Sequence, residues 1–497
     1  MQRIRIGMGS QPVEFLPRFG NRHGLIAGAT GTGKSVSLMV LAENYARLGV
    51  PVFLADVKGD LAGLSQAGTM NPVIEKRTAL IGLDDYRNEA SPVILWDMFG
   101  ELGHPVRSTV SQIGPTLLAR ILELNDVQTG ALAVAFEVAD REGLLLLDLK
   151  DLRALLNHVA ENRKTISTAI GLVNAASIGA IQRALLRLEQ DGAEAFFGEP
   201  ALELIDLMRQ DMSGRGIINV LCAERLLLKP RLYSTFLLWL LSELFETLPE
   251  VGDLDQPRLV FFFDEAHLLF QDAPAALVQR VEQVVRLIRS KGVGVYFCTQ
   301  LPDDVPNAIL GQLANRIQHG LRAFTPRDQK AIRSVAETFV ANPDVDVAKA
   351  LIELGTGEAL VTTLDEKGIP TPVQKTVIAP PRCRMGAITV EERQTILLRS
   401  PVGAKYDTPI DRESAYELLK LQAEEAAQRE STNPVAPVPD GEPNEGISGK
   451  LKEWLLGTKR RQGALEAMTK STMRTVGNRL GQQIVRGILG GISGGKR

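Results

Sequence analysis

A chain of 497 residues, 44% hydrophobic and 23% charged, is long enough for one large α/β domain with insertions or for two to three average domains, and its composition excludes disorder over most of its length. The formal charge of -3 excludes a global basic field, yet residues 451–497 hold ten Lys or Arg against two Glu, a basic tail on an acidic body that suits a polyanion or an acidic neighbouring surface. Cys222, Cys298 and Cys383 are far apart and form no C-x-x-C pair, and no apolar stretch is longer than 236–241; neither zinc, disulfides nor a membrane span is indicated, and a soluble, reduced, cytoplasmic protein is expected.

In chain order, the apolar run 23–27 reads as a strand, followed by a Gly-rich turn and a helix-patterned segment 34–48. A second strand at 52–55 completes a βαβ unit and implies a parallel sheet. Residues from about 104 to 212 read as almost wholly helical, with runs 117–124, 131–138 and 180–189 at helical spacing. Strand pattern resumes at 217–222, a helix follows at 232–246, and 258–263 is the strongest strand of the chain. A helix at 275–290, strands at 293–298 and 316–323, and a hairpin over 357–378 turning at Lys367-Gly368 extend the core.

The expected division is therefore an α/β core over 1–67 and 213–380, mostly parallel in its sheet, with an inserted, mainly helical subdomain at 68–212. A C-terminal extension at 381–430 follows, then a Pro, Glu, Asn and Gly-rich linker at 431–449, and a basic helical tail at 450–497 with helices at 451–456 and 473–488.

Gly28-Ala29-Thr30-Gly31-Thr32-Gly33-Lys34-Ser35 fits G-x-x-x-x-G-K-[ST] between a strand and a helix, where the chemistry requires it. Glycines let successive N–H groups turn inward around phosphates, and the helix N-terminus adds its positive dipole end. Lys34 is expected on the β and γ phosphates of ATP, and the Ser35 hydroxyl on Mg²⁺. The apolar strand 259–263 runs into Asp264 and Glu265: Asp264 is expected in the Mg²⁺ shell, and Glu265 to orient and deprotonate the attacking water.

Gln300 follows the next strand, and its amide is placed to sense the γ-phosphate or hold the water. Asp56 and Lys58 end the second strand at the ligand edge of the sheet, where a functional role competes evenly with a structural turn. Arg316 is the first candidate for an arginine supplied to a neighbouring subunit, with Arg322 as the alternative. His267 reads as coupling the site to the following helix, since no partner stands at metal-ligand spacing.

These residues, with the helical insertion ahead of the Asp-Glu strand, resemble the HerA and FtsK group of hexameric DNA-pumping ATPases. The phrases NRHGLIAGATGTGKS, PVFLADVKGDLAGL and RAFTPRDQKA look more specifically like the bacterial HerA-helicase-like YjgR group, over nearly the whole chain. The resemblance implies a RecA-like P-loop ATPase core over 1–67 and 213–380, and a homo-oligomer, a hexameric ring, acting on DNA with ATP and Mg²⁺. About twenty residues precede the first expected core strand, so the N-terminal β-barrel and nuclease docking of HerA proper are not expected. Asp264-Glu265-Ala266-His267 also matches a two-lobed DEAH helicase, but no second strand-helix alternation follows residue 323. A nucleotide-switched assembly or regulatory ATPase without translocation stands as the alternative function.

Overall fold

The structure, a computed structural model, describes residues 2–252, 254–270, 275–322 and 325–432. Its strands are β1 (Ile4–Met8), β2 (Pro12–Phe15), β3 (Gly24–Ala27), β4 (Val52–Asp56), β5 (Val93–Asp97), β6 (His104–Pro105), β7 (Ile218–Cys222), β8 (Leu259–Phe263), β9 (Val293–Thr299), β10 (Asn315–His319), β11 (Glu358–Thr362) and β12 (Gln374–Ile378). They form one sheet in the order β2-β1-β12-β11-β10-β3-β9-β8-β4-β7-β5-β6. From β10 to β6 every pairing is parallel; from β10 outward through β11, β12, β1 and β2 every pairing is antiparallel.

Strands β4, β7, β8 and β9 are buried at every position, which is why they read as unbroken apolar runs rather than alternating ones. Alternation still decides which layer each side chain serves. Phe261 and Phe263 pack with Phe236 and Leu240 of the helix Pro230–Thr247, whereas Val260 and Phe262 pack with Leu38, Leu41 and Tyr45 of the helix Lys34–Arg47. Each buried Phe contributes about 1.5–3 kcal/mol of transfer free energy, so the sheet is held from both faces.

The helical insertion is present, but it begins later than expected. Strands β5 and β6 lie within the span 68–212 and extend the core sheet beyond β7, so the boundary at 68 is corrected. The helices proper run from Val110–Ile121 through Asp126–Glu142, Leu149–Glu161 and Ala175–Gln190. The first three open on capping boxes at Thr109, Asn125 and Asp148, which satisfy the free N–H groups of their first turns. Strands β1 and β2 were also not expected; they pair through β12 at the antiparallel edge, ahead of the strand read as the first.

The stretch 381–430 packs on the body. Tyr406 stacks edge-on against Trp96 at 5.3 Å, Arg412 pairs with Glu199 at 2.6 Å, and the Tyr416 N–H donates to Asp151 at 2.9 Å. The expected linker, apart from two residues ending the helix Ala415–Thr432, and the expected basic tail lie outside the described residues.

Glu43, on the helix Lys34–Arg47, is 3% exposed and accepts the backbone N–H groups of Arg382 (2.9 and 3.0 Å) and Cys383 (3.3 Å). Burial pushes its carboxyl up to about 7, against the opposing pull of those N–H donors. The folded chain thus holds a proton that the unfolded chain releases between about 4.5 and 7, so this group's contribution to stability is full at the acid end of that window and is lost as pH rises through it. Glu43→Gln keeps an acceptor and removes the ionisation. Urea unfolding at several pH values is expected to show the variant's stability relative to wild type rising toward neutral pH, by up to about 3 kcal/mol.

Candidate nucleotide site

Strand β3 ends at Ala27 and the chain turns through Gly28 (φ 151°), Gly31 (79°) and Gly33 (114°) before the 14-residue helix begins at Lys34. At Gly28 a side chain is doubly excluded, because a Cβ there would lie 2.5 Å from the Cβ of His319. The loop is hung between its neighbours: Gly28 N–H donates to Thr299 O (3.2 Å) at the end of β9, and Ala29 N–H to Gly320 O (2.9 Å) just after β10. Thr32 Oγ1 donates to Ala29 O at 2.7 Å, and Thr32 O accepts from Gly357 N–H at 2.9 Å.

No side chain caps the first turn of the helix and no acid lies in it, so its N–H groups are left for an anion. Lys34, 6% exposed, folds back and donates to Gly28 O (2.7 Å) and Ala29 O (3.3 Å) of its own loop. Ser35 is half-buried on the same turn.

Strand β9 separates β3 from β8, so the loop after β3 and the acids after β8 flank the end of β9. Asp264 is buried and its Oδ2 has no hydrogen-bond partner. Burial pushes its carboxyl up, with the charge of Lys58 opposing and that of Glu265 adding. Glu265 sits at φ 46°, in the left-handed region that a residue with a side chain enters only at a cost, and is itself buried. Its Oε1 accepts from Lys58 Nζ, and its Oε2 has no hydrogen-bond partner, although His267 Nδ1 stands 3.2 Å away. Burial alone would raise the Glu265 carboxyl; the hydrogen bond and charge of Lys58, with the charges of Lys34 and His267, more than offset it and hold the group below its ordinary value.

Of the two residues ending β4, Asp56 proves structural. Its carboxylate accepts the N–H groups of Lys58 (3.2 Å), Gly59 (2.8 Å), Leu61 (2.9 Å) and Ala62 (3.3 Å), closing the turn. Lys58 is brought into the site. Gln300 is exposed directly after β9, beside the attachment of Gly28. The Thr299 hydroxyl and the Leu301 N–H both bind Asp304 Oδ2, at 2.6 and 2.9 Å, and fix the turn that presents Gln300.

Arg316 does not join this group. It lies level with Leu25, two residues short of the strand end, and its guanidinium donates to Leu313 O (3.3 Å), Leu310 O (3.4 Å) and Thr338 O (3.5 Å). In the single chain its donors meet carbonyls of its own backbone. Arg322 is exposed beyond the same strand. The sequence also gave no signal for His319: buried behind the loop, it binds Ser37 Oγ through Nε2 (2.8 Å) and faces Glu358 O through Nδ1 (2.9 Å). Burial lowers it to about 4, so the ring is neutral.

The donor set fits a hard divalent cation held partly by phosphates. A hydroxyl at Ser35 and an unpartnered carboxylate oxygen at Asp264 could serve as oxygen ligands, and among the described residues no group of three His, Cys, Asp or Glu side chains is arranged to hold a metal alone.

The family model described as Helicase HerA-like C-terminal matches residues 2–497. No curated protein matches the chain. Among solved structures, the bacterial conjugative coupling protein TrwB in complex with sulphate is 16% identical with a TM-score of 0.50, covering 78% of this chain and 93% of its own. The same coupling protein with a non-hydrolysable GTP analogue gives 16%, 0.50, 78% and 91%. VirB4 of Thermoanaerobacter pseudethanolicus gives 16% and 0.47, over 78% and 97%. The TrwB likeness is one of fold.

Gly28 and Gly31 separate strain from collision. A Cβ at Gly31 meets nothing within 4 Å, so Gly31→Ala incurs only the left-handed backbone cost of about 1–2 kcal/mol. Gly28→Ala adds the contact with His319 and is expected to lower the thermal midpoint of the nucleotide-free protein clearly further than Gly31→Ala does.

Proposed function

Because the chain belongs to the HerA-like helicase C-terminal family, we propose that it is an ATP hydrolase whose turnover moves or remodels DNA, working as a homo-oligomeric ring. The observation that carries the hydrolase reading is the convergence of two stretches distant in sequence: an anion cradle at residues 28–35, and two buried acids with unpartnered oxygens, Asp264 and Glu265, one strand away. That TrwB has been solved with ADP and Mg²⁺ is in keeping with this use of the fold.

In the proposed reaction the loop N–H groups and Lys34 hold the β and γ phosphates, with Lys34 exchanging its carbonyl partners for phosphate oxygens. Ser35 and Asp264 would hold Mg²⁺, which when bound would neutralise phosphate charge. Glu265 accepts a proton from the water that attacks the γ-phosphorus, while the bond to the bridging oxygen breaks and ADP leaves with the electron pair. Gln300 is placed to orient that water or sense the γ-phosphate. Arg322 is the proposed contribution to a neighbouring subunit's site, and a ring is the assembly in which such a contribution closes. Among the described residues no helix is long and apolar enough to cross a membrane.

ATP turnover measured with and without single-stranded and duplex DNA, alongside light-scattering mass in ATP, tests this reading. DNA is expected to raise the rate, with the stimulation weakening as salt rises, and ATP to favour the assembled form. Glu265→Gln is expected to lower kcat by about 10²–10⁴-fold while ATP stays bound, and Lys34→Ala to impair productive binding. Turnover indifferent to DNA across salt, with ATP-driven assembly intact, would instead favour a nucleotide-switched assembly ATPase.

A further inference from the structure

Lys58 stands on a rigid base with a free arm. The Asp56 carboxylate ties down four N–H groups of its turn, and Gly59 (φ 76°) is packed so closely on Glu224 that a Cβ would fall 2.0 Å from Glu224 Oε1. The Lys58 backbone is therefore held within the Asp56 turn, while its side chain is 44% exposed. The ammonium at the end of that arm is spent on Glu265 Oε1, an oxygen of the group assigned to activate water.

The electrostatics around the pair give it a second destination. Lys34 and Lys58 both act on the charge of Glu265, and Asp264, Glu265 and Asp60 all act on Lys58. The γ-phosphate of a triphosphate in the cradle is a denser anion than a single carboxylate, and lysine is a compact charge on a flexible four-carbon stem. ADP brings no such anion to this end of the cradle.

We propose that Lys58 is a γ-phosphate-binding residue that also positions Glu265: without nucleotide it occupies Glu265 in an ion pair, and with ATP its ammonium passes to the γ-phosphate, leaving Glu265 to face water. The exchange makes the base available only when there is a bond to hydrolyse. It rests on the ATPase reading above and adds to it a discrimination between triphosphate and diphosphate that Lys34, which serves both, does not provide.

The test is equilibrium binding of a non-hydrolysable β,γ-imido ATP analogue and of ADP, each with Mg²⁺, to the full chain and its variants. Lys58→Ala is expected to weaken the analogue tenfold or more and ADP by less than about twofold, with ADP binding serving as the check on folding; Lys58→Arg restores part of the analogue's affinity. The same loss must appear when Lys58→Ala is made in a Glu265→Gln background, where no carboxylate remains to be neutralised. Equal weakening of analogue and ADP, or disappearance of the effect in that background, overturns the proposal and leaves Lys58 as a counter-charge only. Hydrolysis by the wild-type chain, and its loss in Glu265→Gln, test the ATPase reading separately.

Discussion

Buried charge governs this site. Asp264 and Glu265 are taken out of water at the end of a strand enclosed on both faces, where an uncompensated carboxylate is costly. Two cations stand near them, and each has a protein partner: Lys34 the carbonyls of its own loop, Lys58 the Glu265 carboxylate. Asp60 adds a further negative charge beside Asp264 and Lys58 and has a buried oxygen without a partner. The arrangement is satisfied in part, and the unsatisfied part consists of acceptor oxygens and cations that can be drawn away, which is the complement of a triphosphate with its metal.

The sheet order makes this meeting possible. With β9 lying between β3 and β8, the loop, the acids and Gln300 fall at adjacent strand ends instead of being stacked on one. The loop is then fixed by its neighbours: Thr299 O holds Gly28 from the β9 side, and Gly320 O holds Ala29 from the β10 side. His319 fills the space that Gly28 leaves open and binds Ser37 on the helix, so a neutral imidazole joins strand, loop and helix without adding charge beneath the loop.

The sequence made the phosphate loop and the Asp-Glu strand legible because each is a local pattern with a local cause: glycines where φ is positive, and apolar residues running without alternation into acids. What stayed hidden depends on the partner. Strand β5 is a four-residue apolar run leading into Asp97, which periodicity alone cannot tell from a stretch of helix, and only its pairing with β7 makes it a strand. Asp56 and Lys58 sit two residues apart at one strand end, yet one closes a turn and the other reaches Glu265 across more than two hundred residues of chain. Arg316 stood at a plausible strand position, but its guanidinium answers three carbonyls that sequence spacing does not bring together.

The antiparallel half of the sheet gives the loop a connection away from the acids. Gly320 O holds the Ala29 N–H, and Gly320 is two residues from exposed Arg322; Thr32 O holds Gly357 N–H, at the entrance to β11, whose Glu358 O faces His319. Hydrogen bonds of this kind are short and directional, so the loop backbone is held by these segments as well as by its own residues. The side of the sheet that sequence periodicity describes least well is thus the side that ties the loop to the segment carrying the exposed arginine.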